Sequence, residues 1–386
     1  MKVEQNILAE YVSPGHPDRL ADAIVEGIVD AALAADTETL VGVEAAVHTD
    51  KVFVDGRVAA GNDNAAAVSL NMVDAIVRNA YADAGYGGIW QPAPAALVFL
   101  HDLCLESMSD EEREIRILSD DQNVVIGYAC SSPETNNLPP AHWLAWQIGL
   151  RLAAWRMLNA ADKLGPDFKV LPWLGVQVNS DGAPIYEWKR LTVSILHVQG
   201  LDYEQQHRLL LPPLQAILAD LEKLGMQGVE ASFKPDKLLL NGAGYFEQGG
   251  PHGDNGLSGK KLIVDHYGPT VPIGGGALCG KDPHKIDRCG ALRARQWARQ
   301  LVADGAREAR VTLSWAPGSG MPHYVEAAVA DAVGCWQFVP PSRHPALDWF
   351  SIRCIVADLG LAKIRWAETM RTGYFVNQEH PWEHVL

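Results

Sequence analysis

The sequence predicts mixed α+β domains in which sheets pack on helices. Segments of helical and of strand periodicity alternate along the whole chain, but without the strict β-α-β rhythm of a doubly wound parallel sheet. Hydrophobic residues make up 48% and charged residues 20%, the balance of a folded globular protein rather than a disordered one. At 386 residues the chain can form two or three domains, each with its own core.

Leu20, Ile24 and Ile28, with Ala21, Val25 and Ala32 beside them, predict a helix over Pro17–Ala35, and Pro17 suits its first turn. Residues 39–49 and 51–59 read as a strand hairpin, 64–84 as a helix ended by the glycines of 85–88, and 95–103 as a buried apolar strand. Residues 105–121 carry Glu106, Asp110, Glu111, Glu112, Glu114, Asp120 and Asp121 with little apolar periodicity, which predicts an exposed or mobile loop. A Trp- and Leu-rich helix follows over 139–158, then strands near 175–178 and 191–198 and a helix over 213–224. Beyond Phe233 the glycine-rich stretches 241–261 and 274–281 flank an expected strand at 261–265. A helix over 283–304, a strand over 310–315 and a helix over 345–359 complete the chain, with no short-period repeat. The tryptophans read as core and interface packing, and His380 and His384 as the end of a helix rather than a metal pair.

Net charge and cysteine usage narrow the function class. With 32 basic and 47 acidic residues the chain carries −15, which argues against a general nucleic-acid or anionic-membrane surface. No apolar run approaches a bilayer span. The six cysteines are widely spaced, with no C-x-x-C pair, and the opening MKVEQNILAEYV has neither a basic nor an apolar leader region, so a reduced cytoplasmic location is expected.

Three segments carry chemistry. Ser13-Pro-Gly-His-Pro-Asp-Arg19 sits just before a helix, where free N–H groups and the dipole favour an anion. His16 there could donate to a phosphate oxygen and Asp18 could hold Mg²⁺, although taken alone the segment reads more simply as Pro17 and Asp18 starting the helix. The second segment, GGPHGDNGLSGKK at 249–261, has five glycines and a proline in thirteen residues, with Asp254 inside and Lys260 and Lys261 at its exit. It reads either as a backbone that approaches a ligand closely or as a long surface turn. The third, GGGALCGKDPHKIDR at 274–288, fits G-x-x-x-x-G-K over 275–281, but Asp282 stands where a P-loop needs Ser or Thr. Each segment is weak alone. Together they offer His16, Lys260, Lys261, Lys281 and Lys285 to anionic oxygens, and Asp18 and Asp287 to a hard cation, an inventory suited to a polyphosphate.

These residues resemble the signature regions of the S-adenosylmethionine synthetases, which read roughly GHPDK, GGPxGDxGLTGRK and GGGAFSGKDxxKVDRS. The Glu44 region, Asp121-Gln122 followed by GYA, LPWL at 171–174 and PWE near the C-terminus agree in order. The resemblance implies three similar domains in a pseudo-threefold arrangement, drawn here at 1–103, 118–238 and 239–386. It also implies homodimers or dimers of dimers with active sites at the interface. The implied reaction is attack of a thioether sulfur, that of methionine or an analogue, on C5′ of ATP. Triphosphate is expelled and cleaved to pyrophosphate and phosphate, with Mg²⁺ and K⁺ as cofactors. By resemblance His16 assists the departing 5′-oxygen, and Lys260, Lys261, Lys281 and Lys285 cradle the triphosphate beside Ala277. Asp18 and Asp287 hold Mg²⁺, and Glu44 holds K⁺. Phe246, preceded by Tyr245, stacks on adenine, while Asp254, Asp121 and Lys285 reach the acceptor.

The chain also departs from the family pattern. Arg57 occupies the place, thirteen residues after Glu44, of the glutamate that binds the methionine ammonium. The P-D-A-K segment of the ATP site is not found after LPWL, where the chain reads GVQVNSDG. Residues 109–116 show no counterpart of the acceptor-contacting glutamine. Asn123 replaces a glycine, Tyr245 an arginine, and Lys260 an arginine. Three readings follow: a synthetase of S-adenosylmethionine, a paralogue whose nucleophile carries a carboxylate for Arg57, and a non-catalytic nucleotide-binding partner. Retention of the whole leaving-group apparatus argues against the last.

Overall fold

The computed structural model describes residues 5–61, 67–179 and 183–385. Strands β1 (Gln5–Leu8) and β2 (Tyr11–Val12) lead into helix α1 (Pro17–Ala35), the hairpin β3 (Leu40–His48) and β4 (Lys51–Ala60), and helix α2 (Leu70–Ala84). Next come β5 (Val98–Ser107), the short helix α3 (Asp110–Glu114), β6 (Asn123–Cys130), α4 (Pro140–Asn159), the long hairpin β7 (Leu164–Val178) and β8 (Pro184–His197), and α5 (Tyr203–Lys223). The last third holds β9 (Leu238–Leu240), β10 (Gly256–Leu257), α6 (Leu262–Asp265), α7 (Ile286–Ala303), β11 (Glu308–Trp315), β12 (Tyr324–Ala330), β13 (Trp336–Phe338), α8 (Ile352–Asp358) and α9 (Trp366–Thr372).

Three sheets result, each backed by helices, so the mixed α+β class holds. The first joins β1, β7, β8 and β9, with β2 also on β7, and packs on α4 and α5. The second runs β10-β3-β4-β5, with β5 parallel to β4, over α1 and α2. The third, β13-β12-β11-β6, is antiparallel and lies on α7. Each sheet recruits a strand from far away in sequence, and this brings the glycine-rich segments to the N-terminal third.

Helix α1 is the pivot. Its apolar positions Leu20, Ile24 and Ile28 are fully buried, and so, unusually, are Asp18, Arg19, Asp22 and Glu26. Buried charges need partners. Arg19 reaches Asp22 at 3.0 Å and Asp265 at 2.6 Å, and Glu26 takes Arg288 of α7 at 2.5 Å and the Tyr374 hydroxyl at 2.5 Å. Arg288 also lies 4.0 Å over the Trp366 ring, a cation–π contact. Trp146, Trp188, Trp315, Trp366 and Trp382 are all fully buried, as packing residues should be.

Several elements differ from the sequence reading. The strand expected at 95–103 is β5, and its residues are mostly exposed rather than buried. Residues 261–265 form the helical turn α6 instead of a strand, pinned by the Asp265–Arg19 pair and by the Trp146 indole donating to Val264 O at 3.0 Å. Helix α5 starts at Tyr203 and runs through Pro212 and Pro213; an Asp202–Gln205 capping box and buried Leu210, Leu214, Ile217, Leu218 and Leu221 carry it past the two missing donors. The expected 345–359 helix is a 3₁₀ turn, Leu347–Phe350, followed by α8. Residues 64–66 of the expected second helix, and 180–182 of GVQVNSDG, lie outside the described residues. The acidic loop expected at 105–121 contains the end of β5 and helix α3, whose capping box pairs Ser109 and Glu112.

Candidate active site

Two glycine-rich segments line one edge of β3. The first enters through β10, where Gly256 pairs with Val47 and Leu257 with Ala46. The second bridges Lys281 to Gly42, with Val43 N–H donating to Gly280 O at 2.9 Å and Asp282 N–H to Val41 O at 3.0 Å. Gly280 takes a φ of +74°, and a Cβ there would stand 2.3 Å from Val43 O, so no other residue fits. Both segments meet at Asp22 of α1, whose Oδ1 accepts from Gly259 N–H at 2.8 Å and from the Cys279 thiol at 3.2 Å.

One cluster forms at the start of α1. His16 caps the helix, its Nδ1 accepting from Asp18 N–H at 3.2 Å. Its other nitrogen, Nε2, lies 4.0 Å from Asp254 Oδ2. Burial first, and then the positive charge of Lys169, push the imidazole down to about 3, so it is neutral near pH 7. Because Nδ1 accepts, the proton of the neutral ring sits on Nε2, facing the cluster. Asp18 Oδ2 is 2.7 Å from Lys261 Nζ, and its Oδ1 is 3.5 Å from Lys260 Nζ and accepts from Leu257 N–H at 3.0 Å. Burial pushes the Asp18 carboxyl up, but Lys261 and the Leu257 N–H hold it below the usual range.

The tetrapeptide Pro166-Asp167-Phe168-Lys169 belongs to the same cluster. Asp167 Oδ2 accepts from Gly250 N–H at 2.7 Å, and burial raises its carboxyl to about 6. The P-D-x-K pattern is therefore present, directly upstream of LPWL and not downstream. The spacing itself was the available signal; strand β7 begins at Leu164, eleven residues before the strand expected at 175–178.

A second cluster lies on the other segment. Asp287, in the first turn of α7, is held between the Lys281 ammonium and the Asn123 amide, while Lys285 pairs with Asp120. The two segments touch: a Cβ on Gly259 would come 2.7 Å from the Ala277 methyl. Asn123 thus fills the place of the missing glycine with an amide that grips the second carboxylate. Asp121, the expected acceptor contact, is exposed and turns one oxygen to Gln122 N–H at 2.7 Å. Phe246 is half-buried and tied to the end of β8, its N–H donating to His197 Nε2 at 3.0 Å, and Tyr245 is exposed with its ring 6.3 Å from that of His197.

A third cluster surrounds Arg57 on β4. Its guanidinium forks onto Glu112 of α3, Nε to Oε1 at 2.7 Å and Nη2 to Oε2 at 2.9 Å. Nη1 lies 2.8 Å from Cys104 Sγ and 3.4 Å from Glu106 Oε2. Glu112 holds Arg57 firmly protonated, and Arg57 holds the Glu112 carboxyl below its usual range. Arg116 fastens the same segment to the second cluster, reaching Asp282 Oδ1 at 2.8 Å and Thr39 O at 2.7 Å. The acidic segment is therefore strapped at both ends. Burial raises the Asp282 carboxyl, but Arg116 and His284 hold it well below the usual range.

Among the described residues no three His, Cys, Asp or Glu side chains converge on one point. Asp18 and Asp287 each stand singly among lysines, the donor chemistry of a cation that takes one or two carboxylates and completes its shell with phosphate oxygens. Glu44, exposed on β3, pairs in register with Asp55, and Asp55 with Asp102. Like charges opposed across strands repel, so this row carries unbalanced negative charge. No helix of the described residues is long and apolar enough to cross a membrane.

Comparison with known proteins gives the same answer from both ends of the chain. Residues 5–93 match the N-terminal domain of S-adenosylmethionine synthetase and residues 248–384 its C-terminal domain. The S-adenosylmethionine synthase of Paramagnetospirillum magneticum is 34% identical over 376 residues, 95% of this chain and 91% of that protein. The synthase of Deinococcus deserti is 34% identical, with 98% and 96% covered, and that of Thermus thermophilus 33%, with 100% and 97% covered. A solved structure of a Campylobacter jejuni S-adenosylmethionine synthetase, described as unusual, superposes with a TM-score of 0.81 at 27% identity, covering 98% of this chain and 97% of that one. The chain belongs to the S-adenosylmethionine synthetase family.

Proposed function

We propose that this protein transfers the adenosyl group of ATP to the sulfur of methionine. The observation that supports this most is the convergence of both lysine-bearing segments on one edge of β3 and on Asp22. In the reaction a sulfur lone pair forms the S–C5′ bond, the C5′–O5′ bond breaks, and the electron pair leaves with triphosphate. His16 donates its Nε2 proton as a hydrogen bond to O5′ while staying a neutral imidazole. Lys260, Lys261, Lys281, Lys285 and Lys169 match the charge that grows on the leaving chain, usually the largest catalytic contribution. Asp18 and Asp287 would hold Mg²⁺, which neutralises phosphate charge when bound, and Glu44 would hold K⁺. Phe246 stacks on adenine, with Tyr245 and Ala277 beside the nucleotide, and Asp254 and Asp121 face the acceptor. The released triphosphate is then hydrolysed to pyrophosphate and phosphate.

The Arg57 geometry favours methionine over a nucleophile with an extra carboxylate, because the guanidinium fork is already filled by Glu112. The protein works as a homodimer through the open face of the second sheet, where Leu257, Ala46, Phe53 and Leu100 form one apolar row in register across all four strands. The test is product analysis with ATP, Mg²⁺, K⁺ and methionine. S-adenosylmethionine with pyrophosphate and phosphate is expected, and Lys281→Ala should lower kcat by roughly 10²-fold or more. Absence of a sulfonium product, or an unchanged kcat in the variant, would sink this reading.

A further inference from the structure

The turn that carries His16 is held by a residue outside the three segments that bear the chemistry. Tyr86 follows helix α2, which closes on Gly85 in the left-handed region at φ +102°, and Tyr86 N–H donates to Tyr81 O at 3.0 Å. The phenol turns inward and is buried. Its hydroxyl donates to Gly15 O at 2.6 Å. That oxygen belongs to the peptide joining Gly15 to His16. The other end of the same peptide is fixed too, His16 N–H donating to Ser13 O at 3.0 Å. A peptide unit is planar, so holding its oxygen and its N–H leaves the backbone at His16 little freedom.

The same hydroxyl touches the 249–261 segment. Gly250 takes a φ of +60°, and a Cβ there would collide with Tyr86 Oη, so bare backbone lies against the phenol. Gly250 N–H in turn donates to Asp167 Oδ2 at 2.7 Å. On its other side the turn rests on β7. A Cβ on Gly15 would come 2.5 Å from the Pro166 carbonyl, and Ser13 Oγ donates to Pro166 O at 2.8 Å while accepting from Phe168 N–H at 2.8 Å. The phenol thus stands where the His16 turn, the glycine loop and the start of β7 meet. Burial first, and then the nearby Asp167, hold it well above its ordinary range, so it keeps its proton near neutral pH and the bond to Gly15 persists.

We propose that Tyr86 is a positioning residue for adenosyl transfer: its hydroxyl fixes the Gly15–His16 peptide against Gly250 and so aims His16 Nε2 at the departing 5′-oxygen. It acts through His16 and not on the substrate. A hydrogen bond to O5′ speeds the step only when the ring is in place before the C5′–O5′ bond breaks. The proposal rests on the adenosyl-transfer reading above.

The test is a double-variant cycle in the full-length protein, following S-adenosylmethionine formation from ATP and methionine with Mg²⁺ and K⁺. Tyr86→Phe keeps the ring and removes the hydroxyl. It should lower kcat roughly 10-fold or more, with KM for ATP and methionine within about two-fold of the parent, as expected for a misplaced transition-state contact. In a His16→Ala background, whose own kcat is lower, Tyr86→Phe should change kcat by less than about two-fold, because nothing is left to aim. Tyr81→Phe is the matched control. Its ring lies 5.5 Å from that of Tyr86, its buried hydroxyl has no partner among the described residues, and its loss should leave kcat unchanged. An unchanged kcat in Tyr86→Phe overturns the assignment while leaving the reaction intact. So does a full further loss in the double variant, which would make the hydroxyl part of the general scaffold, and so does an equal loss in Tyr81→Phe. A His16→Ala protein with the kcat of the parent removes the group that Tyr86 aims, and overturns the assignment as well. A parent enzyme that makes no sulfonium overturns the reaction and this assignment together.

Discussion

Gly276 shows how closely the second cluster is built. A Cβ at this position would lie 1.6 Å from Asp287 Oδ1, so the bare backbone forms a wall against which the carboxylate rests. The atom in the way is the end of a movable side chain, and Gly276→Ala should therefore fold normally but turn Asp287 away from Lys281 and Asn123. The expected outcome is a rise in the Mg²⁺ concentration needed for half-maximal activity, with the melting temperature within a few degrees of the parent; an unchanged Mg²⁺ dependence would show that Asp287 does not hold the metal. At this scale much of the candidate site was legible. His16, Asp18, Lys260, Lys261, Lys281 and Asp287 announce themselves because glycine and lysine in such density have no use in a core. Asp167 and Lys169 did not, since they lie inside a strand of ordinary composition, and only the fold brings that strand against Gly250 and His16.

At the scale of elements, the segment from Ser107 to Asp121 links the two ends of the site. Glu112 binds Arg57 on β4, Arg116 binds Asp282 next to Lys281, and Asp120 holds Lys285. The last of these pairs is half-exposed and worth little by itself, so a triphosphate can take Lys285 from Asp120. The Arg116–Asp282 pair is buried, with two further acceptors on the arginine, and breaking it leaves a buried carboxylate without its guanidinium partner. Arg116→Ala should cost about 3 kcal/mol or more in urea unfolding and raise KM for ATP; loss of neither would refute the strap. Acidic composition alone predicted a loose loop here, because the arginines that tie it down find their partners in residues more than fifty positions away. Helix α1 and the β3–β4 hairpin were legible nearly to the residue, since periodicity and local turn chemistry set them. Helix α6 was not: Leu-Ile-Val-Asp has the composition of a strand, and its turn is imposed by contacts to Arg19 and Trp146.

The exposed β5 is a feature of the whole molecule. Its apolar composition predicts burial, yet within one subunit its outer face is bare, and Phe53, Leu100 and Leu257 on that sheet are 40%, 47% and 45% exposed. A contiguous apolar row of this kind marks a contact surface. Its neighbours along the strands are the acidic row Glu44, Asp55 and Asp102 on one side and the row containing His48 and Lys51 on the other. A two-fold axis through the apolar row lays the acidic row of each copy over the His48 and Lys51 row of its mate, so the face is complementary to itself, as a closed dimer requires. In the proposed dimer the apolar composition of β5 serves the assembly, not the single chain. Phe53→Glu places a charge at the centre of the row while leaving the buried face of the sheet untouched. Sedimentation equilibrium should then show a dimer for the parent and a monomer for the variant, with adenosyl transfer falling in step. Ile89→Glu, a charge at a still more exposed apolar residue outside the sheet, should leave both unchanged. A Phe53→Glu protein that still sediments as the parent does would place the contact elsewhere, and one that becomes monomeric while keeping full activity would show that each subunit's site is complete without its mate.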